Sequence, residues 1–123
     1  MKVAIIGRSE ILFHTIELLL KNNFEIPIII TSKEAPEYKK SSKDFKKLAN
    51  KIKARFIYTN KIKKCIKEIR KSKCEIGISF NCTNIISQDI IDLFPLGILN
   101  AHGGDLPKYR GNACQAWAII RGE

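Results

Sequence analysis

The chain has 123 residues, 45% of them hydrophobic and 28% charged, with a formal net charge of +10. That length points to one domain with one core, and no apolar run approaches the roughly 20 residues of a membrane-spanning helix. The four cysteines, at 65, 74, 82 and 114, form no C-x-x-C pair and have no histidine at ligand spacing, which argues against a zinc module or a disulfide scaffold and for reduced thiols in a cytoplasmic protein.

In chain order, apolar runs alternate with helical periods. Residues 3–6 read as a first buried strand, too short for a signal-peptide core and followed at once by Gly7-Arg8. Ser9 is placed to cap a helix with Ile11, Leu12, Ile16, Leu19 and Leu20 on its buried side, ended by Asn22-Asn23. Gly7-Arg8-Ser9-Glu10 is not G-x-G-x-x-G, which argues against a dinucleotide site, although the turn precedes a helix N-terminus and suits a ligand phosphate. Residues 26–31 form a β-branched run, a second strand in which Pro27, lacking an N–H, should be the first residue or face outward. Residues 33–40 are a polar loop.

Ser41 or Ser42 opens a second helix with Phe45, Leu48, Ala49 and Ile52 at i, i+3, i+4 and i+7. A short strand at 56–58 follows. Asn60 is then expected to cap a third helix bearing Ile62, Cys65, Ile66 and Ile69. Residues 76–80 are the next strand. Ser87 starts a short helix with Ile90, Ile91 and Phe94, stopped by Pro95. Residues 98–102 are the last strand, and Asn112 caps a final helix carrying Ala113, Ala116, Trp117 and Ile120. His14 stands alone on its helix and reads as a partly exposed structural residue.

This alternation implies right-handed βαβ crossovers: an α/β, Rossmann-like, doubly wound parallel sheet with helices on both faces. Ligands in such sheets bind beyond the carboxyl ends of the strands, where the loops at 79–86 and 100–111 fall.

The charge is uneven. Residues 33–73 hold 16 Lys and Arg against 4 Asp and Glu, and the remainder holds 6 against 8. A basic half attracts polyanions. However, 17 of the 22 basic residues are lysine, they fall on the polar faces of amphipathic helices, and no aromatic residues are interleaved for base stacking. The expectation is a solvated basic surface with some attraction for phosphorylated ligands, and no nucleic-acid partner.

The richest stretch lies near the end. Asn100 and His102 are two residues apart at a strand end, so their side chains share a face. Gly103-Gly104 allows close approach to the backbone, and Arg110 offers a fork to phosphate or carboxylate. Taken bare, N-x-H also fits a neutral histidine capping a strand beside a structural asparagine.

The longer string, Asn100-x-His102-x-x-x-Leu106-Pro107-x-Tyr109-Arg110-Gly111, resembles the active-site segment of the folate-dependent formyltransferases. That family includes methionyl-tRNA formyltransferase, glycinamide ribonucleotide transformylase and the sugar N-formyltransferases. The layout of nearly the whole chain agrees, and the specific part is residues 98–123. Gly103-Gly104-Asp105-Leu106-Pro107 and Gly111-Asn112-Ala113 look most like the sugar N-formyltransferases, whereas tRNA-directed members usually carry Ser-Leu-Leu-Pro after the histidine.

The resemblance implies 10-formyltetrahydrofolate as formyl donor and the primary amine of a nucleotide-linked amino sugar as acceptor. His102 would be the general base, a role worth about 10²–10⁴-fold. Asn100 would hold the oxyanion, worth about 3–4 kcal/mol. The pterin would lie on the backbone of the loop after the fourth strand, at Phe80, Asn81, Cys82, Asn84, Ile85 and Ile86. Gly103, Gly104, Tyr109 and Arg110 would meet the acceptor. Tyr109 is equally well a stacking platform or a loop anchor.

One part of the family pattern has no match. The family's third catalytic residue is an Asp some tens of residues after the histidine, and Asp105, three residues on, is not in that position. Loss of an orienting carboxylate costs on the order of 10⁴ in rate in serine proteases. The sequence therefore suggests a truncated N-terminal portion, its sheet incomplete on the C-terminal side, that transfers little or no formyl group alone. The alternatives are a catalytically dead module that binds folate or nucleotide sugar, or a half-domain completed by another chain. The last strand would have an open edge, and with Trp117, Ile119 and Ile120 it would favour self-association through that strand or the final helix.

Overall fold

The computed structural model describes residues 1–82 and 85–101. His102 and the final helix expected after it lie outside the described residues.

The elements are β1 (Lys2–Gly7), α1 (Glu10–Lys21), β2 (Glu25–Thr31), α2 (Ser42–Ile52), β3 (Arg55–Tyr58), a 3-10 turn (Ile62–Cys65) leading into α3 (Ile66–Ser72), β4 (Ile76–Phe80), α4 (Gln88–Ile91) and β5 (Ile98–Ala101). All strand pairs are parallel, in the order β3-β2-β1-β4-β5. This is the expected doubly wound sheet. The strand order reverses between β1 and β4, so the switch point lies where those two strands end.

Alternation along the strands divides the core in two. Val3, Ile5 and Ile29 face α1 and α2, where they meet Leu12, Ile16, Phe45 and Ala49. Ala4, Ile6, Ile28, Ile30 and Ile98 face the other way, against Ile62, Cys65, Ile69, Ile90 and Phe94. Burying each such side chain is worth about 1.5–3 kcal/mol. Phe13 and Phe45 join α1 to α2 edge to face, ring centroids 5.5 Å apart. Gly77 of β4 makes room for the other layer: a Cβ there would stand 3.1 Å from Ile98 Cγ1 and 3.3 Å from Phe94 Cε2. The small residue lets the Phe94 ring approach the sheet closely.

Four local expectations are corrected. Ile11 is 53% exposed, because the buried stripe of α1 runs through Leu12 and Ile16, one residue round the helix. Ser9 occupies the N-cap of α1 without a side-chain capping bond, since its backbone takes φ 97° and ψ 161°. Pro27 is interior to β2. The β1–β2 register passes from Lys2↔Glu25 to Ala4↔Ile28, so β2 spends one extra residue there, and β3 pairs with β2 only from Ile28 onward. The missing N–H therefore falls at a bulge. Asn60 caps nothing. The Thr59 hydroxyl accepts from the Lys61 amide at 3.1 Å, and the apolar stripe of Ile62, Cys65 and Ile69 is wound first as a 3-10 turn.

The start of α2 carries a measurable consequence. The Asp44 carboxylate accepts from the Ser41 amide at 2.8 Å and from its hydroxyl at 3.3 Å. The Ser41 amide bond is the main cause holding the Asp44 carboxyl below its ordinary value. A depressed carboxyl contributes stability above its unfolded pKa and loses it as pH falls through the folded one. Asp44→Asn is therefore expected to be less stable than wild type at pH 7, and the gap should close as the pH drops below about 4. Urea melts at pH 7 and pH 3 check this.

Candidate active site

The carboxyl ends of β1 and β4 meet more closely than a side chain would allow. Gly7 takes φ +133°, and a Cβ there would lie 1.9 Å from the Phe80 carbonyl oxygen. The next amide, Arg8 N–H, donates to that oxygen at 3.0 Å. Glycine is required by both the close approach and the backbone angle. Ser9, 2% exposed, follows at the start of α1, and its hydroxyl has no hydrogen-bond partner among the described residues.

Arg8 then ties three segments together. Its Nε donates to the Asn81 carbonyl at 3.1 Å and its Nη1 to the Lys33 carbonyl at 2.7 Å. The guanidinium carbon lies 5.3 Å from the centre of the Tyr38 ring. Asn81, with φ 51°, donates from Nδ2 to the Tyr38 hydroxyl at 2.9 Å. Arg8, Tyr38 and Asn81 thus close a ring across the ends of β1 and β4 and the loop after β2. Sequence reasoning missed this ring. The only sign of it was an arginine directly after a strand end, in the turn preceding a helix.

The expected cofactor-loop residues do not all face the same way. Phe80 is buried in the α1/α2 core, so only its backbone reaches the edge. Asn81 and Cys82 are half-buried, and Cys82 and Ile86 pack against the α3/α4 core. Ile85 is 92% exposed, an apolar side chain presented to solvent at the carboxyl edge. Asn84 lies outside the described residues. A shallow hollow beside this loop is bounded by Gly7, Thr31, Ser32, Thr59 and Cys82. A wider groove, between Lys2, Phe24, Pro27 and Lys53, opens at the amino ends of the strands. That is the opposite edge from the one where ligands bind in this architecture.

Asn100 is half-buried on β5, in register with Ser79 of β4. Ser79 in turn pairs with Ile6, so Asn100 stands on the α3/α4 side of the sheet, at the carboxyl edge. The Ser79 hydroxyl beside it is fully buried and has no partner among the described residues. His102, Gly103, Gly104, Tyr109 and Arg110 lie outside the described residues.

The electrostatics are one-sided. Among the described residues the ion pair found is His14 with Glu17, at 3.0 Å on the exposed face of α1. The lysines of α2, the 3-10 turn and α3 are exposed along the two flanks of the edge strand β3, whose Tyr58 is 49% exposed. Cys65 and Cys74 are buried free thiols, and burial pushes both up in pKa. No group of three metal-ligating side chains occurs among the described residues, and no helix there is long and apolar enough to cross a membrane.

A parallel sheet ordered β3-β2-β1-β4-β5, with polar loops gathered at the switch point, defines a doubly wound α/β protein, a class whose ligands sit at the carboxyl edge of the sheet. The formyl transferase family model matches residues 1–123, and the chain belongs to that family. It is 29% identical over 128 aligned residues to methionyl-tRNA formyltransferase of Acetivibrio thermocellus, covering 100% of this chain and 41% of the relative. It is 34% identical over 126 residues to the bifunctional polymyxin resistance protein ArnA of Wigglesworthia glossinidia brevipalpis, covering 100% of this chain and 19% of that one. The chain therefore spans well under half the length of these relatives. The fold is shared with phosphoribosylglycinamide formyltransferase from Anaplasma phagocytophilum at a TM-score of 0.62 and 14% identity, over 100% of this chain and 59% of that one. Glycinamide ribonucleotide transformylase 1 from Symbiobacterium toebii aligns at 0.61 and 13% identity, over 99% and 60%.

The Gly7–Phe80 crossing supplies a direct test of how the site is built. Gly7→Ala should lower stability by about 3 kcal/mol or more, since the new Cβ meets backbone rather than a yielding side chain. Denaturant melts would show it. A loss below 1 kcal/mol would mean that the two strand ends are not held this closely.

Proposed function

We propose that the chain forms the folate-side portion of a formyl-transfer site. In this reading the site moves the formyl group of 10-formyltetrahydrofolate to a primary amine. The observation that carries it is the place of Asn100: a carboxamide at the carboxyl edge, one strand from the loop that begins at Asn81, in a chain matched to the formyl transferase family over its whole length. The exposed Ile85 gives that loop an apolar side chain for the pterin to cover.

In this mechanism the amine attacks the formyl carbon, and His102 takes the proton from the attacking nitrogen. The carbonyl oxygen becomes an oxyanion, and the Asn100 NH₂ donates to it. Collapse would break the bond between the formyl carbon and the folate N10, which would take up the proton held by His102, giving tetrahydrofolate and the N-formyl product. Gly103, Gly104, Tyr109 and Arg110 would line the acceptor side. We take the acceptor to be a nucleotide-linked amino sugar, supported by the Gly-Gly-Asp-Leu-Pro run after His102. The second reading is an amine carried on transfer RNA. It is favoured by relatives named methionyl-tRNA formyltransferase and by the unpaired lysines and exposed Tyr58 around β3. The chain is expected to bind the formyl donor at this edge.

Two measurements decide this. Calorimetric titration of the chain with 5-formyltetrahydrofolate is expected to give one binding site, and the absence of any heat of binding would sink the folate reading. In a formyl-transfer assay, Asn100→Ala is expected to lower kcat by about 10²–10³ with folate affinity retained. Comparing amino-sugar nucleotides with aminoacylated transfer RNA as acceptors separates the two readings.

A further inference from the structure

We propose that Arg8 is a positioning residue for the cofactor loop: through Asn81, and with Tyr38 as its brace, it sets the start of the loop on which the folate would lie. The proposal rests on the folate reading above and goes beyond it, because neither Arg8 nor Tyr38 belongs to the expected catalytic or cofactor-binding residues.

The geometry argues for a part with one job. Arginine pairs most strongly with carboxylates, yet this guanidinium is spent on two backbone carbonyls, that of Asn81 in a part-buried bond and that of Lys33 in an exposed one. No carboxylate of the described residues forms an ion pair with it. A charged donor on a carbonyl is worth about twice a neutral one. Two such bonds from one rigid fork fix the carbonyls relative to each other, which a lysine ammonium on a flexible stem does not do. The Tyr38 ring, 5.3 Å from the guanidinium carbon, holds the fork in its plane.

The same tyrosine accepts from Asn81 Nδ2. Asn81 is thus held at both its carbonyl and its side chain, and held in the left-handed region at φ 51°, a conformation costly for a non-glycine residue unless its surroundings enforce it. Backbone contacts to a planar ligand ring depend on where loop amides and carbonyls point, and a residue that fixes the first peptide of the loop fixes those directions. Leaving the strand, the chain has Arg8 N–H already bonded to the Phe80 carbonyl. Arg8 therefore secures two consecutive carbonyls, one through its backbone and one through its side chain.

The experiment uses Arg8→Lys, Tyr38→Phe and Arg8→Ala in the chain, with 5-formyltetrahydrofolate affinity by calorimetry, thermal midpoint, and ligand-free amide hydrogen exchange of the peptide spanning 80–86. Arg8→Lys keeps the charge and loses the fork. It is expected to weaken folate about tenfold and to speed exchange in 80–86, with the exchange of β1 and β4 unchanged. Tyr38→Phe keeps the ring and removes the acceptor of the Asn81 bond, and a threefold loss of affinity is expected, on the order of one neutral hydrogen bond. If Arg8→Ala does not fold, the two conservative variants still decide. Wild-type affinity and wild-type loop exchange in both of them overturn the proposal. So does an affinity loss fully accounted for by a fallen midpoint. If the wild type binds no folate the functional reading fails, and the exchange data alone then judge whether Arg8 sets the loop.

Discussion

The crossing of two strand ends governs this molecule. Where β1 stops, its backbone passes so near the Phe80 carbonyl that a Cβ at Gly7 would sit 1.9 Å from that oxygen. Every feature of the carboxyl edge follows from this proximity. Arg8 is delivered to the mouth of β4, Ser9 is turned inward, and α1 begins against the α2 side of the sheet while the chain after β4 turns to the other. A wider gap would leave the switch point open but would separate the loops that a ligand has to touch together.

Above that crossing, order is imposed by charged side chains bonded to backbone groups rather than by ion pairs. Arg8 holds the carbonyls of Asn81 and Lys33, Asp44 holds the Ser41 amide, and Glu34 accepts from the Ser42 amide. Charged groups bonded to peptide groups keep more of their strength in a partly wet site than long side chains paired in solvent do. The lysines flanking β3 do the reverse. They stay solvated, guard the edge strand against pairing with another sheet, and leave the molecule with one strongly positive side.

Membership of the formyl transferase family accounts for the placement of chemistry at one edge. Under the proposed formyl transfer the developing oxyanion needs a donor, and β5 carries the Asn100 carboxamide to the carboxyl edge beside a fully buried layer of Ser79 and Ile98. Side chains anchored on a strand hold position better than those on loops, which suits a group whose value depends on tenths of an ångström.

Periodicity made most of the architecture legible. Alternating apolar runs and 3.6-residue stripes were enough to place five parallel strands and the Phe45–Ala49 and Ile62–Ile69 faces, because both signals arise from which side chains must leave water. The string around Asn100 and His102 pointed to the family, since a motif is carried by residue type and spacing. Tertiary structure decided what depends on approach between distant segments. Pro27 lies inside β2 because the register slips there, Ile11 turns outward because the stripe of α1 is set by the sheet it meets, and Ser9 gives up its cap to the angle at which β1 ends. The ring of Arg8, Tyr38 and Asn81 joins residues 73 and 43 positions apart. No local pattern encodes such a contact, because its energy exists only once the strands have brought the three segments to one edge.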